Sequence, residues 1–185
     1  MSLSDQQMER YRRHIMLKDV GVEGQQRIIK GRILVIGVGG LGSPIALYLA
    51  AAGIGTLGLV DHDVVDLGNL QRQVIHSTAD IGKPKVLSAK EKIARLNPDV
   101  SVVTYQKRIS ADNILSIIQD KDYDFIIDAT DNFPSKFLIN DACVLHQKPF
   151  SHGGVLRYDG QTMTYVPGRA CYRCIFGHIP PAALW

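Results

Sequence analysis

The fold of this chain is decided by residues 31–61, GRILVIGVGGLGSPIALYLAAAGIGTLGLVD. The apolar, β-branched run Arg32–Ile36 predicts a short buried strand. The residues that follow, Gly37–Gly42, fit G-x-G-x-x-G, and a run rich in alanine and leucine then predicts a helix. A second apolar run, Thr56–Val60, ends in an acid, Asp61. Strand, glycine turn, helix, strand and an acid about 20 residues on are the fingerprint of a nucleotide-binding βαβ unit.

The glycines of the turn each meet a separate requirement of a phosphate site. Gly37 permits the tight turn, and Gly39 removes a side chain that would keep backbone N–H groups from phosphate oxygens. Gly42 lets the helix lie close to the strand, and the free N–H groups of the first helical turn favour an anion. Asp61 is placed to accept hydrogen bonds from a ribose hydroxyl. The fingerprint alone does not distinguish NAD from ATP.

Length and composition describe an ordinary globular protein. The 185 residues are enough for one well-packed domain, and 45% hydrophobic with 21% charged residues fit that class. A formal net charge of +3 is too small to indicate nucleic-acid or membrane partners. No apolar run reaches the roughly 18 residues of a membrane span, and three cysteines do not indicate a disulfide framework. We therefore expect a cytoplasmic protein.

Strands and helices alternate after residue 31, which predicts an α/β fold. The expected architecture is a doubly wound, mostly parallel Rossmann-like sheet with helices on both faces. Three more apolar runs predict further strands, at 100–105, 124–129 and 149–151. The last of them is expected to end in a turn at 152–154. A C-terminal β-hairpin is then predicted over 156–166, with its turn at Asp159-Gly160.

The residues ahead of the first strand predict a helical extension. Residues 5–18 indicate one strongly basic helix, which contains Arg13, and Gln25–Lys30 indicate a second, shorter helix. By itself, such a charge run is typical of a solvated helix face. The sequence therefore predicts an N-terminal helical extension over residues 1–30.

Polar and charged side chains follow several of the predicted strands. Because the carboxyl ends of parallel strands meet at the switch point of such a sheet, we expect these side chains to lie over the glycine turn. The set combines cations suited to a polyphosphate with acids suited to a magnesium ion. A dehydrogenase would usually need a second, substrate-binding domain, and little of the chain is left to form one. The charged side chains and the chain length together therefore favour ATP over NAD. Its members are Asp61, Asp63, Asn69, Arg72, Lys85 and Asp131.

Several short motifs occur in order along the chain. They are Arg10-Tyr11-x-Arg13-His14, Gly37-Val38-Gly39-Gly40-Leu41-Gly42, Asn69-Leu70-Gln71-Arg72-Gln73, Gly82-Lys83-Pro84-Lys85, Asp128-Ala129-Thr130-Asp131-Asn132 and Cys171-Tyr172-Arg173-Cys174. At this spacing they are far more specific than the glycine turn alone. Together they resemble the ThiF/MoeB/HesA family, relatives of the ubiquitin-activating enzymes, and the resemblance covers nearly the whole chain.

The resemblance implies an adenylyltransferase of thiamine or molybdenum-cofactor biosynthesis that works as a homodimer. Such enzymes use Mg·ATP to adenylate the C-terminal glycine carboxylate of a ubiquitin-like sulfur-carrier protein ending in Gly-Gly, and they release pyrophosphate. Residues 31–185 would then be the ATP-binding adenylation domain.

Roles follow from the resemblance for each matching position. The nucleotide-binding set is Gly37, Gly39, Gly40, Leu41, Gly42, Asp61, Asp63, Asn69, Arg72, Lys85 and Asp131. Within it, Asp61 binds the ribose and Asp131 the magnesium ion. The implied catalytic set is Arg13, Arg72, Lys85 and Asp131. Arg13 is implied to reach the ATP of the partner subunit.

The reaction gives a physical reason for these residue types. A carboxylate that attacks the α-phosphorus brings an anion towards a polyanion, so cations must neutralise the gathering charge. Arg72 and Arg13 can hold phosphate oxygens in bidentate fashion, while Lys85 acts as a point charge. No general base is required, because the carboxylate nucleophile is already ionised at neutral pH.

Each of these residues also has a plain structural interpretation. Asp61 could cap the following loop, Asn69 could be a turn residue, and Arg72 could form a surface ion pair. Lys85 at the start of a helix could be solvated. Asp131 could be the N-cap of the next helix.

Cys171 and Cys174 have the spacing of one half of a zinc site. The family implies a structural zinc ion held by four cysteines, and the second C-x-x-C is absent here, so we expect a domain truncated after the first pair. The resemblance therefore implies adenylation and leaves sulfur transfer open. A thioredoxin-like redox pair would need a helix N-terminus, which we do not expect after a hairpin and Pro167-Gly168.

Functions of two other classes stay open at this point. One is a non-catalytic nucleotide-binding module for dimerisation or carrier docking, against which the intact Arg72, Lys85 and Asp131 argue. The other is an NAD-dependent oxidoreductase, which the loop chemistry disfavours. A related dehydratase branch that acts on modified tRNA shares the fold, but the Cys171–Cys174 motif favours the sulfur-carrier branch.

Overall fold

A six-stranded sheet forms the centre of the computed structural model, which describes residues 3–179. Its strands are β1 (Arg32–Ile36), β2 (Thr56–Val60), β3 (Ser101–Tyr105), β4 (Phe125–Asp128), β5 (Phe150–Leu156) and β6 (Asp159–Tyr165). The spatial order is β3-β2-β1-β4-β5-β6, with β1 to β5 parallel and β6 antiparallel to β5. The predicted mostly parallel sheet is confirmed. Residues 1–2 and 180–185, at the ends of the predicted extension and domain, lie outside the described residues.

Helices cover both faces of the sheet, as predicted. They are α1 (Asp5–Arg10), α2 (Arg12–Ile15), α3 (Gly21–Lys30), α4 (Gly42–Ala52), α5 (Lys85–Leu96), α6 (Ile114–Asp120), α7 (Phe133–Leu145) and α8 (Tyr172–Phe176). Successive residues of β1 point to opposite faces. Val35 packs in a core with the buried residues of α4 and α5, whereas Leu34 packs with those of α6 and α7. Within residues 3–179, none of the helices is long and apolar enough to span a membrane.

The carboxyl ends of the central strands lie level with one another. Ile36, the last residue of β1, pairs with Val60 on one side and with Asp128 on the other. The chain runs from β1 to β2 and β3 on one side and then returns to β4 on the other, so the strand order reverses between β1 and β4. Ligands of doubly wound sheets bind in the crevice at such a reversal. The glycine turn and the loops after β2 and β4 meet there.

The predicted single helix over residues 5–18 is wrong, because the chain turns at Tyr11. That residue has φ −100° and ψ 13°, between the end of α1 and the start of α2. Its side chain is buried, and its hydroxyl accepts a hydrogen bond from Asn97 Nδ2 at 2.8 Å. A Cβ on Gly53 would overlap the Tyr11 ring, so the ring is seated at the C-terminal end of α4. Burial of this ring, which a charge pattern does not reveal, divides the helix.

Helix α3 begins at Gly21, before the predicted start at Gln25. The Gln25 side chain is buried and donates a hydrogen bond to the carbonyl oxygen of Ala52 at 2.9 Å. The N-terminal helices therefore pack at the end of α4 that lies away from the glycine turn.

Two predictions about the end of the sheet are also wrong. The expected turn at 152–154 is part of β5, in which Gly153 and Gly154 pair with β6. The hairpin turn is Arg157-Tyr158, because Leu156 pairs directly with Asp159 and Arg157 has φ 57°. The glycine pair of β5 and the Asp-Gly pair of β6 are both turn signals. The pairing between β5 and β6 nevertheless keeps each of them in an extended strand.

Candidate nucleotide-binding site

The glycine turn between β1 and α4 closes against the end of β4. Gly37 has φ 95°, and a Cβ built on it would lie 2.7 Å from the carbonyl oxygen of Ala129. A Cβ on Gly42 would overlap the carbonyl oxygen of Gly37. Both positions therefore require glycine, as the fingerprint predicts.

The N–H groups of this turn are available to a ligand. Helix α4 begins at Gly42, and Leu41 before it provides no side-chain cap. The N–H groups of Gly39, Gly40 and Leu41 have no acceptor anywhere in the described residues 3–179. Unpaired N–H groups and the partial positive charge of an eleven-residue helix make an anion site at this point.

Asp61 binds the turn as well as the loop that follows β2. Its Oδ2 accepts the N–H of Val38 at 2.7 Å, and its Oδ1 accepts the N–H of Asp63 at 2.9 Å. The loop-capping interpretation is thus part of its role, but the second oxygen orients the glycine turn. Each carboxylate oxygen has a further lone pair for a ribose hydroxyl.

Lys85 is not a solvated lysine. Its side chain is 7% exposed at the start of α5, and its Nζ lies 2.9 Å from Asp63 Oδ2. The hydrogen bond from Lys85 lowers the pKa of Asp63 below its ordinary value. An antiparallel bridge between Val64 and Pro84 fixes the two segments to each other. The structure therefore brings both predicted residues together beside Asp61.

Asp61, His62 and Asp63 also form a cluster of possible metal ligands, with ligand atoms within 4.8 Å of one another. The ammonium group of Lys85 is already paired with Asp63, which weakens the case for a cation there.

Asn69 and Arg72 lie on the loop that passes over the glycine turn. Asn69 ends a short 3₁₀-helix, Leu67–Asn69, and its Oδ1 accepts a hydrogen bond from Gln73 Nε2 at 2.7 Å. Arg72 is exposed, and its guanidinium donates only to the carbonyl oxygen of Gly68, at 3.3 Å. Its Cγ and Cδ would contact a Cβ on Gly40 at 3.6 Å. The structure thus places Arg72 against the turn, and the ion-pair interpretation is not borne out within the described residues.

Asp131 follows β4 in the loop whose first residues contact Gly37. The N-cap of α7 is Asn132, whose side chain accepts the N–H of Ser135 at 2.9 Å, so the capping interpretation of Asp131 is wrong. The Asp131 carboxylate is exposed, with one long hydrogen bond of 3.5 Å from Asn132. Its oxygens remain available to a cation.

A buried ionic cluster beneath this loop was missed by the sequence analysis. Asp128 is 1% exposed and lies 3.4 Å from Lys136 Nζ and 3.3 Å from His152 Nδ1. Its Oδ1 also accepts the N–H and the hydroxyl of Thr130. Lys136 donates to the carbonyl oxygens of Thr130 and Gly153 at 2.6 and 2.7 Å, and burial lowers the pKa of its amine. The sequence carries no signal for this cluster, because α7 contains other polar residues besides Lys136 and the three members come from separate segments.

A cavity of about 280 Å³ opens next to the site, between the segment after β3 and the first turns of α7. Ile109 and Leu138 give it apolar walls, and Arg108 and Asn132 give it polar ones. Arg108 lies close enough to Asp63 to act on its charge. Arg108 and Ile109 could not be assigned to the site from the sequence, because only the folded sheet brings them here.

Arg13 is not near the glycine turn of its own chain. It lies exposed on α2, which follows Tyr11 at the C-terminal end of α4. Nearby Arg10 donates to the carbonyl oxygen of Leu96, at the C-terminal end of α5. The turn and Lys85 lie at the N-terminal ends of these helices, about 16 Å away along an eleven-residue helix.

Cys171 and Cys174 lie with their Sγ atoms 3.7 Å apart. Cys171 is the N-cap residue of the five-residue helix α8, so the expectation that the pair is not at a helix N-terminus is wrong. Burial acts to raise the pKa of the Cys171 thiol, but hydrogen bonds from Cys174 and the Arg173 backbone outweigh it and lower the pKa. The helix is held by Asn140, whose Oδ1 accepts the N–H of Tyr172 at 2.9 Å.

Comparisons with known proteins find relatives that align with most of this chain. The SAMP-activating enzyme E1 of Haloferax volcanii is 45% identical over 180 residues, which are 97% of this chain and 66% of that protein. The adenylyltransferase and sulfurtransferase MOCS3 of Danio rerio is 46% identical over 181 residues, 97% of this chain and 39% of its own. The crystal structure of E. coli MccB with ATP is similar with a TM-score of 0.79 and 28% identity, over 91% of this chain and 52% of that chain.

The chain thus spans at most 66% of the length of these relatives. The family match nevertheless includes every motif described above except the first residue of the N-terminal one. It runs from residue 11 to residue 184, and by this match the chain belongs to the ThiF family.

Proposed function

We propose that this protein adenylates the C-terminal glycine carboxylate of a small ubiquitin-like sulfur-carrier protein ending in Gly-Gly, with Mg·ATP as co-substrate and pyrophosphate as product. The observation that carries the proposal is the set of unpaired N–H groups at the glycine turn, next to Arg72 and Lys85. Membership of the ThiF family supports it, as do the adenylyltransferase MOCS3 and MccB with its ATP. The family pathways, thiamine and molybdenum-cofactor biosynthesis, are where a carrier should be sought.

The cations of the site suit an attack on the α-phosphorus. The carrier carboxylate and the triphosphate are both anions, so positive groups must offset the charge that gathers in the transition state. Lys85 is fixed by Asp63 and Arg72 lies against Gly40, so both are held beside the turn before the reaction begins. The carrier carboxylate is ionised at neutral pH and needs no general base.

Asp131 fits the role of the magnesium ligand. Its carboxylate is exposed at a strand end and is not used as a helix cap. A magnesium ion bound there with phosphate oxygens would stabilise charge on the departing pyrophosphate. The buried Asp128 and Lys136 hold the backbone of Thr130 and so fix the position from which Asp131 projects.

The rest of the nucleotide follows from the position of the turn. We place the ribose at Asp61, which keeps free lone pairs, and the adenine in the cavity lined by Ile109 and Leu138. Apolar walls with a few polar groups at the rim are the usual surroundings of a flat heterocycle.

We also propose a homodimer in which Arg13 acts on the ATP of the partner subunit. What supports this is distance: Arg13 lies at the far end of α4 from the turn and has no acceptor within residues 3–179. Because its guanidinium cannot reach an ATP bound in its own subunit, Arg13 can bind phosphates only across an interface, at the site of the partner subunit.

A structural zinc ion is the third part of the proposal. In a tetrahedral thiolate site with Zn–S bonds of about 2.3 Å, neighbouring sulfurs are about 3.8 Å apart. The 3.7 Å between Cys171 and Cys174 fits that spacing. No third possible ligand joins the pair within the described residues, so two further ligands must come from elsewhere. Metal-binding thiols stay reduced in the cytoplasm, which is the compartment we propose.

ATP–pyrophosphate exchange tests the proposed function. The purified protein is incubated with Mg·ATP, labelled pyrophosphate and candidate carriers, each in a native form and in a form whose terminal carboxylate is amidated. We expect exchange only with a native Gly-Gly carrier, because the amide cannot attack phosphorus as a carboxylate does.

Binding separates the remaining alternatives. Tight Mg·ATP binding without exchange with any carrier would indicate a non-catalytic module. Calorimetric binding of NAD, with no detectable binding of Mg·ATP, would contradict the adenylation proposal altogether.

A further inference from the structure

Val38, the second residue of the glycine turn, has both of its backbone groups held by side chains from distant segments. Its N–H donates to Asp61 Oδ2 at 2.7 Å. Its carbonyl oxygen faces His76 Nε2 at 3.1 Å. The Val38 side chain is fully buried. The turn is therefore fixed from the loop after β2 on one side and from a histidine on the other.

The protonation of His76 follows from its two partners. A carbonyl oxygen can only accept a hydrogen bond. Nε2 must therefore be protonated and must donate the hydrogen bond to the Val38 carbonyl oxygen. Nδ1 lies 2.8 Å from the hydroxyl of Ser88, which can donate to it. The ring is 6% exposed, and this burial lowers the pKa of His76 and favours the neutral imidazole. Ser88 belongs to α5, the helix that begins at Lys85, so the ring links that helix to the glycine turn.

The bond to the Val38 carbonyl also decides the direction of the next N–H. In a trans peptide the C=O of one residue and the N–H of the next point in opposite directions. Because the Val38 carbonyl points to the buried imidazole, the N–H of Gly39 points away from it. That N–H is one of the groups without an acceptor in residues 3–179.

We infer that His76 is a positioning residue of the nucleotide site: it holds the Val38–Gly39 peptide so that the Gly39 N–H faces the phosphates. The inference rests on the proposed function, since it assigns the anion at this turn to ATP.

Two amide substitutions separate positioning from packing. In His76→Gln the side-chain amide N–H reaches about where Nε2 lies and can still donate to the Val38 carbonyl. In His76→Asn the shorter amide reaches only the Nδ1 position, so the bond to Ser88 can form but the bond to Val38 cannot. Both variants remove the aromatic ring, which makes each the control of the other. Their melting temperatures are measured first, to show that both fold.

Calorimetry with Mg·ATP and with adenosine then measures the effect. We expect His76→Gln to bind Mg·ATP within about threefold of the wild type and His76→Asn roughly tenfold more weakly, the size of one lost hydrogen bond. Adenosine, which has no phosphates, should bind all three proteins equally. Equal Mg·ATP affinities of the two variants, or a parallel loss for adenosine, would overturn the inference. A wild-type protein that does not bind Mg·ATP would instead overturn the proposed function, and this inference with it.

Discussion

Asp131 and Asn132 are neighbours in the chain but have different tasks in the structure. Asn132 accepts the N–H of Ser135 as the cap of α7, and the carboxylate of Asp131 is left exposed beside the glycine turn. Aspartate and asparagine are equally good N-caps, so the sequence could not decide which of the two would cap the helix. Only the register of α7 separates the cap from the candidate magnesium ligand.

This difference predicts opposite outcomes for two adjacent substitutions. Asp131→Ala should abolish pyrophosphate exchange and leave the unfolding midpoint unchanged. Asn132→Ala should lower the free energy of unfolding by about 1 kcal/mol through loss of the cap. Its exchange activity should fall but not be abolished, because Asn132 also lines the cavity proposed for the adenine. Exchange assays and urea unfolding measure both quantities, and an active Asp131→Ala protein would remove Asp131 from the catalytic set.

Arg72→Ala should lower the exchange rate by about 10³–10⁵, the usual effect of losing a charge-stabilising arginine. The same exchange assay measures this loss.

The cluster of Asp128, Lys136 and His152 could not be predicted from the sequence, because its three residues come from β4, α7 and β5. Each is an ordinary polar residue in its own segment, and only tertiary packing buries them together. The same holds for His76, which is linked to Val38 across the fold. By contrast, Gly37, Gly42 and Asp61 could be assigned, since local backbone geometry dictates them.

We expect Lys136→Met to destabilise the protein by roughly 3 kcal/mol, because it leaves the Asp128 carboxylate buried without its lysine partner. The matched control is Lys83→Met, which removes a partly exposed pair with Glu91 and should cost less than about 1 kcal/mol. A second control, Asp128→Asn with Lys136→Met, should recover stability, since it removes both charges. Urea unfolding would contradict this account if the two single substitutions had equal effects.

At the scale of elements, the central βαβ unit was predictable and the ends of the chain were not. Strands β1 and β2 and the intervening helix α4 combine a periodic pattern with turn chemistry, so local and global preferences agree. In β5 and β6 the turn signals of glycine disagree with the strand pairing, and the pairing prevails. In the N-terminal segment a buried Tyr11 outweighs the helical pattern of its neighbours.

The short helix α8 predicts a specific metal behaviour. Two thiolates leave tetrahedral zinc with two open positions, so residues 1–185 alone should bind zinc weakly and lose it on dialysis. A form that supplies two further cysteines should retain one zinc per chain, and Cys174→Ser should abolish this retention. Metal analysis after dialysis measures both. Stoichiometric zinc in the protein of residues 1–185 would require other ligands and would contradict the half-site interpretation.

The whole molecule places its basic N-terminal helices and its glycine turn at opposite ends of α4. This separation leads to a prediction for mixed dimers. Neither Arg13→Ala nor Asp131→Ala should be active alone, but mixing them gives hybrids with one intact site. Random mixing makes about half of the dimers hybrid, so about a quarter of the wild-type exchange activity should return.

The control for that experiment mixes Arg72→Ala with Asp131→Ala. Both residues belong to the site of one chain, so every site in the hybrid carries a defect and no activity should return. If the Arg13→Ala mixture behaved like this control in a confirmed hybrid dimer, Arg13 would have to act within its own subunit.

The loop between β2 and α5 is fastened along its length by contacts that do not involve a nucleotide. Asp61 and His76 both hold Val38, Val65 is bonded to Lys83, and Asp63 is paired with Lys85. A loop that is already ordered does not have to lose conformational freedom when its ligand arrives. The heat-capacity change measured on nucleotide binding should therefore be small, because mainly the ligand's own surface is buried. Coupled folding of the loop would instead give a large negative heat-capacity change. We therefore expect discrimination among nucleotides to come from direct contacts with the loop rather than from a closing motion.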